Sequence, residues 1–146
     1  MFRFLSDTEV ALNELLVACR ESVDHYQDAI KLVEDPEIAN HFQSIASQRK
    51  IMCTQLGGII RELGDLPTVP DPDKEAGEMI IHHLGAALSP DYTNDALTQR
   101  LDAEENIIQL IANARGTDMK DAHNNFLDQL AIHIQDTIRI LSAAID

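Results

Sequence analysis

Ile38, Phe42, Ile45, Arg49, Met52, Leu56, Ile59 and Leu63 follow one another in steps of four and three residues, which puts all eight on one face of an α-helix. The same rhythm runs through Leu12, Leu16, Cys19, Val23, Tyr26, Ile30 and Val33, through Leu97, Leu101, Glu104, Ile108 and Ile111, and through His123, Leu127, Leu130, Ile134, Thr137, Leu141 and Ala144. A chain that repeats this pattern four times must bury four helical stripes against one another. No alternating strand pattern competes with it.

Punctuation between the stripes sets the boundaries. Ser6 or Asp7 offers an N-cap to a helix over 7–34, and Asp35-Pro36 ends it and starts the next, because proline suits the first turn of a helix and Asp35 can cap that turn. A helix over 36–63 stops at Gly64. Three prolines between Asp65 and Asp73 forbid helix there. Shorter apolar spacing with Met79, Ile80, His83 and Leu84 predicts a helix over 74–88, and longer helices follow over 92–115 and 118–145. Short turns at 35 and 116 make two hairpins, which leaves the long segment between them as a crossover along the bundle. The expectation is one all-α domain over 1–146, with a short extra helix in the crossover between the second and third bundle helices.

Composition narrows the partners. Hydrophobic residues make up 45% of the chain, enough for one core, while the net charge of −14 divides almost evenly between the two halves. Such a surface repels phosphate backbones and anionic headgroups, so neither nucleic acid nor a membrane surface is an expected partner. No apolar run reaches the ~20 residues of a membrane span, and the first residues lack the pattern of a secretion signal. A cytoplasmic location is expected by default. Cys19 and Cys53 lie at or beside apolar stripes and read as reduced core residues.

Arg49 and Glu104 break two stripes at comparable depth, about 13 and 12 residues into their helices. The crossover makes those helices parallel, so the two charges fall at one level. Bidentate pairing inside the bundle would satisfy both, with Tyr26, Ser22 or Gln48 taking leftover hydrogen bonds. The expected buried polar core is therefore Arg49, Glu104 and Tyr26. Ile107, Ile132, Ile138, Ile140 and Ile145 exceed what one narrow seam needs. They predict either a wide core face or a self-association surface, and a homodimer is the expected assembly.

Leu12-Asn-Glu-Leu-Leu, Tyr26-Gln-Asp-Ala-Ile, Glu34-Asp-Pro-Glu-Ile, Ser47-Gln-Arg49 and Leu63-Gly64, with Ala103-Glu104-Glu105 later, resemble a bacterial family of ferritin-like four-helix proteins classed as a domain of unknown function. The likeness is closest over 12–64, weaker over 92–112 and poor beyond. It implies a ferritin-like up-down four-helix bundle and no particular reaction. Ferritin-like di-iron proteins draw one Glu from each of two helices and Glu-x-x-His from each of the other two. Here Ala46-x-x-Arg49 and Leu130-x-x-His133 stand where Glu-x-x-His would belong, and Glu104 and His133 are the weak metal candidates that remain. The leading expectation is a non-catalytic structural or interaction bundle without an intact di-iron site and without a cofactor.

Two alternatives follow from particular residues. A degenerate or relocated site could hold iron or another divalent metal, with His25, Glu21 and Asp28, or His133 and Asp136, at helical spacing for a surface site. His82-His83-Leu84-Gly85-Ala86 resembles the His-x-Leu-Lys-Gly type motif of histidine phosphotransfer domains, but Gly85 replaces the lysine that would steady a phosphoryl group. Gly57-Gly58 reads as a close helix approach rather than a nucleotide loop.

Overall fold

The computed structural model describes residues 6–64 and 92–145. The helix expected over 74–88, with His82 and His83, lies outside the described residues. Among those described, the chain is all-helical and has no strand: α1 spans Asp7–Ile30, α2 Pro36–Glu62, α3 Tyr92–Arg115 and α4 Asp121–Ala144.

Local chemistry explains the ends. Ser6 Oγ accepts from the Glu9 backbone N–H at 3.1 Å, satisfying one of the free donors of the first turn of α1. Asp35 Oδ1 does the same for Glu37 N–H at 2.9 Å, with Pro36 just inside α2. Gly64 follows α2 with φ 88°, a left-handed backbone that favours glycine and stops the helix. Two boundaries differ from the sequence expectation by more than one residue. α1 ends at Ile30 rather than near 34, since Asp35 must leave the helical region before Pro36 and the chain needs Lys31–Asp35 to reverse. α4 begins at Asp121 rather than 118, because Thr117–Lys120 forms the turn after Gly116.

Each helix packs on two neighbours: α1 on α2 and α3, α4 on α3 and α2. This square is consistent with a four-helix bundle. Thr8 Oγ1 near the start of α1 donates to the Asp118 carbonyl just beyond α3 at 3.5 Å, so α1 and α3 are antiparallel. His123 near the start of α4 meets Glu62 at the end of α2 at 3.2 Å, so these run antiparallel too. Both hairpins are antiparallel by their short turns. The diagonal pair α2 and α3 is therefore parallel, and its midpoints share a level.

The buried faces depart from the simple stripes in an informative way. α2 buries Ile38, Phe42, Ile45, Arg49, Cys53, Leu56 and Ile60, while Met52, Ile59 and Leu63 are only half-buried, because a 3.6-residue turn drifts against a strict seven-residue repeat. α3 buries Leu97, Arg100, Glu104, Ile107, Ile111 and Ala114. Its inward face is centred one residue earlier than Leu101 and Ile108 suggest. Ile107 thus belongs to the core, whereas Ile132 remains 59% exposed. Gly58 is not a close approach, since a methyl there would meet nothing within 4 Å. No helix among the described residues is long and apolar enough to cross a membrane.

Candidate functional site

Midway along the bundle, where a core would ordinarily be hydrocarbon, four helices each contribute a polar side chain. α2 supplies Arg49, with no exposed surface, and α3 supplies Glu104, 1% exposed. Arg49 Nη1 donates to Glu104 Oε1 at 2.5 Å and to Ser22 Oγ of α1 at 3.0 Å. Ser22 donates its own hydroxyl hydrogen to the Cys19 carbonyl at 2.6 Å, so its single donor is used. Tyr26 of α1 donates its phenol to the same Glu104 Oε1. On the far side, Arg49 Nε and Nη2 lie 3.4 and 3.3 Å from His133 Nε2 of α4.

The protonation of this cluster follows from its donors. A guanidinium cannot accept, so His133 Nε2 must accept and its proton sits on Nδ1. Burial, and next the Arg49 charge, hold the His133 pKa down to about 4, which agrees with a neutral ring. Burial works against the Arg49 cation, but the adjacent Glu104 and Tyr26 outweigh it, and its pKa rises from the usual value. Burial pushes the Tyr26 phenol well up, with the Glu104 charge adding to it. The site holds an ion pair and a neutral phenol.

Arg100 of α3 is the member that the sequence stripe missed. It is 8% exposed, and its guanidinium carbon lies 5.6 Å from the Tyr26 ring centroid, the same distance as that of Arg49. Two cations thus share one aromatic ring, within the range of cation–π attraction. Phe42 meets that ring edge-on with centroids 5.2 Å apart. Glu104 Oε2, by contrast, is buried with no hydrogen-bond partner among the described residues. Only the spacing of 97, 100 and 104 could have revealed Arg100, and a polar residue on a stripe edge reads as solvent-facing.

His133 also opens the cluster to the outside. It lines a cleft of about 260 Å³ between α2 and α4, bounded by His41, Ile45, Ile132, Asp136 and Ile140. A second hollow of about 430 Å³ continues toward Glu37 and Arg139. Gln48 takes no part in the Arg49 network: it is exposed and bonds Ser44 instead. Asp136 pairs with Arg139 at 3.0 Å rather than with His133. His25, Glu21 and Asp28 do not assemble into a metal cluster, and no group of three such ligands occurs among the described residues.

The residues present do not suit a di-iron pair. One carboxylate faces the level at which several would be needed, and its Oε1 is already engaged by a cation and a phenol. Two guanidiniums beside it would repel a dication. Glu104 and His133 are separated by Arg49, which bonds both.

Fold and site together define a helical protein whose interior is organised by a buried ion-pair network. By sequence the chain belongs to the family described as a domain of unknown function, DUF2383, which matches residues 7–115. That stretch carries Tyr26, Arg49, Arg100 and Glu104, while His133 lies beyond it. No curated protein matches the chain.

Proposed function

We propose that this chain is a ferritin-like bundle in which an ion-pair network stands at the level of a metal centre, and that it works as a non-catalytic structural or interaction module. The observation that carries this reading is the contact of Arg49 Nη1 with Glu104 Oε1 at 2.5 Å in the middle of the bundle. It uses the carboxylate a metal would need and sets a fixed positive charge in its place. The parallel diagonal of α2 and α3, joined by a long crossover, supports the ferritin-like connectivity. A buried pair of this kind adds little net stability but can fix which helix faces which.

The partner in this reading is a second copy of the chain. Ile51 and Ile132, 64% and 59% exposed, are large apolar side chains that association would cover. The test is elemental analysis and light scattering on protein purified without an affinity tag. The reading predicts no stoichiometric iron and the mass of a dimer. A full di-iron complement would overturn the first half, and a strict monomer the second.

A further inference from the structure

Cys19 and Cys53 are the only two cysteines of the chain, and neither sulfur takes part in the Arg49–Glu104 network, which touches Cys19 only through its backbone carbonyl. Both are free and buried, at 2% and 6% exposure. They sit on the facing sides of α1 and α2. Arg49 reaches Ser22 at 3.0 Å; Cys19 lies one turn before Ser22 and Cys53 one turn after Arg49. Because the hairpin is antiparallel, both steps lead toward the same end of the bundle and bring the two sulfurs to neighbouring levels.

Each thiol acts on the other. The neighbouring Cys53 thiol, and then burial, raise the Cys19 pKa well above its usual value, while the neighbouring Cys19 thiol lowers that of Cys53. Arg49 favours the thiolate at both positions. Two thiols at neighbouring levels on packed helices, with a guanidinium that favours the thiolate of each, are an arrangement that thiol oxidation uses. Two thiols beside a guanidinium, with no third ligand among the described residues, do not make a metal site.

We propose that Cys19 and Cys53 form a dithiol site that hydroperoxide-class oxidants convert into an intramolecular disulfide joining α1 to α2. Cys53, the less covered sulfur, reacts first. Its thiolate attacks one peroxide oxygen, the O–O bond breaks, and the departing hydroxide takes up the thiol's proton to become water. The Cys19 sulfur then attacks the Cys53 sulfenic acid, the S–O bond breaks, and the oxygen leaves with the Cys19 proton as a second water. Two thiols and one hydrogen peroxide thus give one disulfide and two waters.

The full chain, reduced and freed of reductant, is treated with hydrogen peroxide in native buffer, then denatured and alkylated. Mass spectrometry is expected to show a monomer with neither cysteine alkylated, and a digest is expected to contain one peptide pair linking Cys19 to Cys53. In Cys19→Ser the sulfenic acid stops at Cys53 and is captured by dimedone. In Cys53→Ser the remaining Cys19 should react roughly tenfold more slowly or worse, as expected of the more deeply buried thiol. Two alkylated thiols after a peroxide dose that oxidises free glutathione would overturn the proposal. So would disulfides found only between chains, or a Cys53→Ser protein that reacts as fast as Cys19→Ser.

Discussion

Glu104 serves two donors with one oxygen, Arg49 and Tyr26 both pointing at Oε1 while Oε2 is left without a partner among the described residues. Removing the carboxylate charge should therefore be costly, because Arg49 and Arg100 would then share the interior with no anion in their cluster. Glu104→Gln is expected to lose about 3–5 kcal/mol, the range for breaking a buried pair, against about 0–1 kcal/mol for an exposed one. Arg49→Met combined with Glu104→Leu removes both charges and should recover much of that loss. Urea melts of the single and double variants measure it, and small additive effects would mean that the two side chains are not coupled. His133 adds a pH dependence of definite sign. Its folded pKa of about 4 lies below the ordinary 6.5, so the unfolded chain binds more protons between those values. Its contribution is fully present above about pH 6.5 and falls away as pH drops toward 4. Arg49 faces the ring from α2, His41 shares its cleft, and Asp136 lies a turn away on α4. His133→Gln keeps an acceptor for Arg49 and cannot titrate. Between pH 7.5 and 4.5 the wild type should lose roughly 1–2 kcal/mol more than this variant, allowing for solvent screening of a partly exposed ring. Equal losses in urea melts at the two pH values would contradict the role assigned to His133.

At the scale of the helices, long apolar periods were readable and their edges were not. The rhythm of 123, 127, 130, 134, 137 and 141 is the buried face of α4, since a wide stripe tolerates small errors in its centre. α3 is harder: its inward positions include an arginine and its flank includes Leu101 and Ile108, so hydrophobicity alone rotates the face by about 100°, one residue. Arg100 was hidden for that reason. Its long side chain is covered by packing beside Tyr26, a tertiary effect that periodicity cannot express. Arg49 stood out because it has apolar residues three and four positions away on both sides, and Glu104 because Leu101, Ile107 and Ile108 flank it, with Arg100 at the fourth position. The helix ends erred where a turn needed residues that also fit the helical pattern, as at Lys31–Asp35. Cys19 and Cys53 belong to the same lesson. Each reads as an ordinary core residue on its own helix, and only the packing of α1 on α2 makes them a pair.

At the scale of the molecule, the network links the four described helices at one level: Ser22 and Tyr26 from α1, Arg49 from α2, Glu104 from α3 and His133 from α4. A bound metal would connect four helices in a similar way, by drawing one ligand from each to a shared centre. Here direct hydrogen bonds and an ion pair make the connection, and the cation that they surround is covalently part of the chain. The two devices have opposite responses to added metal. A protein with a competent site gains stability from a ligand that binds only the folded state, by RT ln(1 + [L]/Kd), whereas a filled interior gains nothing. The direct measurement is a set of urea melts under anaerobic conditions with rising ferrous iron. The midpoint is predicted to stay where it is in chelator, at every iron concentration. A midpoint that climbs with iron and returns on chelation would contradict the account, because the bundle would then hold a metal that Arg49 should exclude.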